Sequence, residues 1–151
     1  MKEILIALLT AAIGTVGFSI LFYVHPRRLL LATLGGVLTT AVYLLAGRTI
    51  GGELLPNLLG ALVGAAFSEI AARLTKVPVS VYLFPCIIPL VPGSALYATM
   101  FSFVSGNYHA AADAALTTLA VALGISGGIV ISSVVSLLIR PVGNARRHRK
   151  P

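Results

Sequence analysis

Charge is scarce in this sequence, and that scarcity excludes most of what a chain of 151 residues could be. Only 10% of its residues are charged, against 58% hydrophobic, and the mean hydropathy is +1.00. Soluble domains carry about 25% charged residues, so a soluble globular domain is excluded and a polytopic membrane protein remains. Cysteine occurs once, at Cys86. No intrachain disulfide can form, and the compartment cannot be read from cysteine usage. Cys86 lies between prolines in an apolar stretch and reads as a small buried hydrophobe rather than a reactive thiol. The sequence also lacks Cys/His metal spacing, a Walker loop, paired carboxylates and a nucleophile with a local base. These absences argue against an enzyme and against a bound cofactor.

What charge there is has one sign. The net charge is +7, but the basic residues sit in short loops and at the C-terminus rather than clustered with aromatics on one face, as a nucleic-acid reader would require. The distribution is that of membrane anchors. The densest cluster, RRHRKP, closes the chain and reads as an interfacial anchor near anionic lipid.

Apolar runs of about 20 residues are long enough to cross the hydrocarbon core. Five are expected: Ile4–Tyr23, Leu29–Ala46, Leu54–Leu74, an interrupted Val77–Ser105, and Asp113–Ile139 ended by Arg140-Pro141. Pro26, Arg27 and Arg28 are assigned to the first loop, and Gly106-Asn107-Tyr108-His109 to a polar turn. The first run is too long for a signal core, lacks a small-x-small cleavage site and is followed by His25-Pro26-Arg27-Arg28, so it reads as a retained helix. The expected organisation is one all-α membrane domain over 1–142 and a basic cytoplasmic tail over 143–151. Gly60-x-x-x-Gly64 and Gly124-x-x-x-Gly128 have the spacing that lets helices approach closely. With five crossings, Arg27, Arg28, Arg73, Lys76, Arg140, Arg146, Arg147, Arg149 and Lys150 fall on one side, and only Lys2 and Arg48 on the other. The positive-inside rule then sets the N-terminus outside and the C-terminus in the cytoplasm.

The chemistry concentrates where the fourth run is broken. Pro85, Pro89, Pro92 and Gly93 interrupt PVSVYLFPCIIPLVPGSALYATMFSFVS. Each proline removes an N–H and clashes with the carbonyl four residues back, so a single straight helix is excluded. Broken membrane helices survive where they line a cavity, and such breaks form transporter binding sites. A helix restarting at Gly93 would leave N–H groups unpaired, with Ser94 as a cap and a positive half-dipole pointing into the membrane interior, suited to a carboxylate. The carbonyls of Pro85 and Ile88, freed of their donors, would suit a cation. Pro89, Pro92, Gly93, Ser94 and Tyr97 are therefore the candidate substrate-binding residues; the alternative is a kink that only shapes packing. Glu69 is the one acidic residue clearly within a span, with Arg73 four residues on. The two read either as an interfacial salt bridge or as a coupling or gating pair. Asp113 reads as the cap of the last helix. Asn57 stays undecided between packing and lining a path.

At these residues a resemblance enters. IIPLVPGSALYATM (87–100) resembles the signature of the threonine/serine exporter family, specifically its short, YjjB-like half. AAIGTVGFSILFYVHPRRLL resembles that family's first helix and following loop, and SEIAAR, with Glu69 and Arg73, its acidic and basic pair. Cys86, with Pro85 beside it, departs from the glycine common in relatives. The resemblance implies export of threonine and serine, or in two-component members of dicarboxylates such as succinate, driven by the proton motive force across the inner membrane. It also implies a larger membrane subunit, resembling the amino-terminal half of the exporter, as partner. Five spans with one broken helix read as half of a two-repeat transporter, completed by that partner or by a second copy. The rival readings are a non-transporting assembly subunit and a homo-oligomeric channel.

Overall fold

The computed structural model describes residues 2–139, and every regular element among them is a helix. They are α1 (Lys2–Leu21), α2 (Pro26–Thr49), α3 (Leu54–Thr75), α4 (Ser80–Ile87), a 3-10 turn over Ile88–Leu90, α5 (Gly93–Val104) and α6 (Tyr108–Ile139). Four are long and apolar enough to cross a membrane, and five when α4, the 3-10 turn and α5 count as one bent span. The expected basic tail over 143–151 and the Arg140-Pro141 stop lie outside the described residues.

Local chemistry sets the ends. Pro26, Arg27 and Arg28 belong to the first turn of α2 rather than to a loop. Proline at N1 already has a helical φ and gives up an N–H that would be unpaired anyway, and His25 Nδ1 accepts a hydrogen bond from the Arg27 N–H at 3.4 Å. The last helix begins at Tyr108, five residues before the expected start. Its cap is Asn107, whose Oδ1 accepts the Ala110 N–H at 3.2 Å. Asp113 is consequently an exposed residue inside the helix, not a cap.

Small residues form the core. Ala32, Ala61, Ala65, Ala71 and Ala72 are buried, as are Thr15, Thr39 and Ser68. Most hydroxyls on the helices bond back to the carbonyl one turn earlier, as Ser68 does to Gly64 (2.7 Å) and Thr15 to Ala11 (2.7 Å). These hydroxyls are thus satisfied without water, as a membrane interior requires, whereas the buried Ser19 Oγ and Thr39 Oγ1 have no partner among the described residues. Glycines let neighbours interlock. A β-carbon at Gly64 would collide with Thr39 Oγ1, one at Gly36 with Thr15 Oγ1, and one at Gly35 with Cys86 Sγ. Cys86, fully buried, is the small hydrophobe its setting suggests.

The contacts fix direction. Gly35 faces Phe67 while Gly60 faces Thr39 and Tyr43, so α2 and α3 are antiparallel. Gly124 faces Leu54 and Asn57, Gly128 faces Leu58 and Leu62, and Arg73 reaches Ser136, so α3 and α6 are parallel. The intervening segment must therefore carry the chain from the end of α3 back to the level of its beginning. It traverses the bundle rather than returning to the end it left. α6 is 32 residues long, about 48 Å at 1.5 Å per residue. Its first half, before Gly124, runs past the start of α3 and packs against α5.

Candidate functional site

The break unfolds as a graded loss of helix. Pro85 is tolerated inside α4, and the helix continues through it to Ile87. At Pro89 the winding tightens to a 3-10 turn, which ends at Val91. The Val91 N–H donates to the Ile88 carbonyl at 3.1 Å, so Ile88 is not the free acceptor that the proline spacing suggested. α5 restarts at Gly93, and the two halves meet at 51°.

The restart leaves donors unpaired. The Gly93 N–H donates to Val91 O (2.8 Å) and the Leu96 N–H to Pro92 O (3.0 Å). The N–H groups of Ser94 and Ala95, between them, make no hydrogen bond among the described residues. Pro92 holds the cap position, and no side chain caps the helix. Ser94 therefore does not act as a cap. Two backbone donors at the positive end of a twelve-residue helix stand open.

Their residues border a cavity of about 260 Å³ lined by Tyr43, Glu53, Asn57, Pro89, Leu90, Val91, Pro92, Ser94, Ala95, Thr117 and Val121. α2, α3, the broken segment and α6 all contribute. Of the residues singled out in the sequence, Pro89, Pro92 and Ser94 meet here. Gly93 adjoins them on open space, with nothing within 4 Å of where its β-carbon would be. Tyr97 is not in the lining; it is 71% exposed and stacks on Phe101, ring centroids 6.0 Å apart. The cavity lies beside the first turn of α3, at one end of the α1–α3 core, rather than at mid-depth.

Glu53 and Tyr43 were not singled out in the sequence, and Asn57 was left open. The Tyr43 hydroxyl donates to Glu53 Oε2 at 3.4 Å. Asn57, 2% exposed, donates from Nδ2 to the Glu53 backbone carbonyl at 2.6 Å. The available signal was five polar side chains, these three with Arg48 and Thr49, within fifteen residues of an apolar sequence around one interhelical turn.

Glu69 and Arg73 lie elsewhere, at the opposite end of the α3–α6 seam. Glu69 Oε2 is 3.7 Å from Arg73 Nη2, with the glutamate side chain 12% exposed and the arginine 50%. Arg73 also donates to the Ser136 hydroxyl and to its carbonyl. The group borders a separate cavity of about 320 Å³, otherwise walled mainly by aliphatic side chains of α3 and α6. Among the described residues, no group of His, Cys, Asp and Glu could hold a metal ion.

A family model described as "Threonine/Serine exporter, ThrE" matches residues 7–135. That span runs from within α1 through most of α6 and includes the broken segment and the whole lining of the cavity beside it. Neither the curated proteins nor the solved structures contain a match to the chain.

Proposed function

Because the chain belongs to the threonine/serine exporter family, we propose that it is the small membrane subunit of a two-component secondary exporter whose solute binds in the cavity at the break. One observation carries the location of the site: the unpaired N–H groups of Ser94 and Ala95 at the start of α5, on the lining of the cavity. A helix amino terminus with open donors suits a carboxylate, the group that threonine, serine and dicarboxylates share. A break in a membrane helix is also where secondary transporters build their sites.

The larger partner is the subunit that the family resemblance implies. A further support is α5, which buries none of its own residues within this chain and carries the exposed side chains of Leu96, Met100, Phe101 and Phe103. Export runs toward the side holding Lys2 and Arg48, with the proton motive force as the drive.

The test is flux in liposomes that hold this chain alone or with the larger subunit. Threonine and serine are expected to accumulate against a gradient only when both subunits and a proton gradient are present. Proton-driven export by this chain alone would refute the two-component arrangement. No flux of threonine, serine or succinate under any of these conditions would refute the transport reading.

A further inference from the structure

The cavity at the break has a second wall, and its chemistry is opposite to that of the α5 amino terminus. Glu53 precedes α3 at the cap position, yet its side chain makes no capping bond to that helix. The exposed carboxylate borders the cavity, where its Oε2 accepts from the Tyr43 hydroxyl at 3.4 Å and from Asn57 Nδ2 at 3.5 Å. Asn57 is anchored by the bond from its Nδ2 to the Glu53 carbonyl. Although the side chain is 2% exposed, its Oδ1 accepts no hydrogen bond among the described residues. That oxygen is not one of the enclosed unpartnered atoms, Ser19 Oγ and Thr39 Oγ1, and the cavity that Asn57 lines is where a donor can reach it.

An acidic carboxylate, an amide oxygen without a donor and a phenol oxygen make an acceptor-rich pocket. It suits a group with several N–H donors and a positive charge. The charged groups around Glu53 do not cancel it. Arg48 borders the adjoining recess with Glu53 and Tyr43, but no ion pair joins Arg48 to Glu53 among the described residues. The remaining polar side chains of the lining, Ser94 on α5 and Thr117 on α6, are neutral.

We propose that Glu53, Tyr43 and Asn57 form an ammonium subsite facing the carboxylate-binding start of α5, so that the cavity selects zwitterionic α-amino acids over dicarboxylates. This inference rests on the cavity being the solute site. An α-amino acid places its carboxylate on the Ser94 and Ala95 N–H groups and its ammonium on the Glu53 side. A dicarboxylate would bring its second negative charge against Glu53, and like charges at short range repel.

The experiment is equilibrium binding of labelled L-threonine to the full chain in lipid nanodiscs, with L-serine, N-acetyl-L-threonine and succinate as competitors. Serine is expected to displace threonine. N-acetylthreonine, whose amine is neutralised, and succinate are not. Glu53→Gln should weaken threonine binding about tenfold or more, the usual scale for losing a hydrogen-bonded charge, and narrow the gap between threonine and succinate. Glu53→Asp keeps the charge and should recover part of the loss, which separates the subsite from a folding defect. Wild-type threonine affinity in Glu53→Gln, or displacement by N-acetylthreonine as strong as by threonine, overturns the subsite. If succinate competes as well as threonine and Glu53→Gln alters neither, the subsite fails while a carboxylate site at α5 stands. If the wild-type chain binds neither threonine nor succinate, the solute-site reading fails and takes the subsite with it.

Discussion

Gly124 of α6 lies so close to Leu54 of α3 that a β-carbon on the glycine would stand 2.5 Å from the leucine carbonyl oxygen. One turn on, the same relationship holds between Gly128 and the Leu58 carbonyl, also at 2.5 Å. These two glycines set the parallel approach of α3 and α6, and that approach fixes what lies at each end of the seam. At one end Asn57 meets the break; at the other Arg73 meets Ser136. In a bilayer such seams hold by close packing rather than by burying apolar surface from water.

The seam glycines, whose closest neighbours are backbone rather than side-chain atoms, are therefore expected to be hard to replace. Gly124→Leu and Gly128→Leu force the helix backbones apart, and overpacking of this kind costs about 1–3 kcal/mol or more. Gly127→Ala meets only Leu58 Cδ1 at 3.6 Å, and Gly14→Ala meets nothing within 4 Å, so both should behave as wild type. Thermal midpoints of the detergent-solubilised protein check this. A midpoint for Gly124→Leu equal to that of Gly14→Ala would show that the seam is not tight.

The break was legible in the sequence because proline acts through the backbone of its own segment. Missing N–H groups at Pro89 and Pro92, followed by Gly93, dictate a discontinuity whatever surrounds them. The restart at Gly93 and the membership of the exporter family followed from those same residues. The opposite wall was not legible. Glu53 stands in an interhelical turn and Tyr43 at the far end of α2; only the interlocking of Gly60 with Thr39 and Tyr43 and of Gly124 with Asn57 brings them to the break. Tyr97 shows the converse. Three residues past Ser94 on the same helix suggests a shared face, but only the first turn of α5 borders the cavity, and Tyr97 lies exposed beyond it, stacked on Phe101.

The parallel seam makes a topology prediction. Because α3 and α6 run the same way, the segment between them crosses the bundle, and five crossings put the α5–α6 turn on the side opposite the α3–α4 turn. By the positive-inside rule the α5–α6 turn faces outward. In a Cys86→Ala background, a cysteine replacing Asn107 should react with an impermeant thiol reagent from outside the cell, and one replacing Lys76 only from inside. Labelling of position 107 from the cytoplasmic side alone would overturn the orientation.

Glu69 and Arg73 invite a separation of stability from transport. With the arginine half exposed and the oxygen–nitrogen separation at 3.7 Å, the pair itself is expected to contribute less than about 1 kcal/mol. Glu69→Gln should then leave the thermal midpoint close to that of the wild type. If the pair couples or gates transport, the same variant should lower the initial export rate several-fold and flatten its dependence on the proton gradient. A variant with an unchanged rate and gradient dependence would reduce Glu69 to an interfacial salt bridge.

The last prediction tests the start of α5 directly. Gly93 faces open space, with nothing within 4 Å of its absent β-carbon, so a larger side chain there need not disturb the protein itself. What it would occupy is the approach to the Ser94 and Ala95 N–H groups. Gly93→Leu should therefore block the solute sterically, and Ser94→Asp should set a negative charge beside the donors meant for a carboxylate and repel it. Both are expected to insert and assemble normally yet lose nearly all export. Asn107→Asp, which keeps the α6 cap, and Gly14→Ala, on the far helix, should retain it. The measurement is the initial export rate per assembled complex, with assembly followed by size-exclusion chromatography. If Gly93→Leu and Ser94→Asp both export at near-normal rates while assembled, the break is a kink that shapes packing, and the solute must cross the protein by another path.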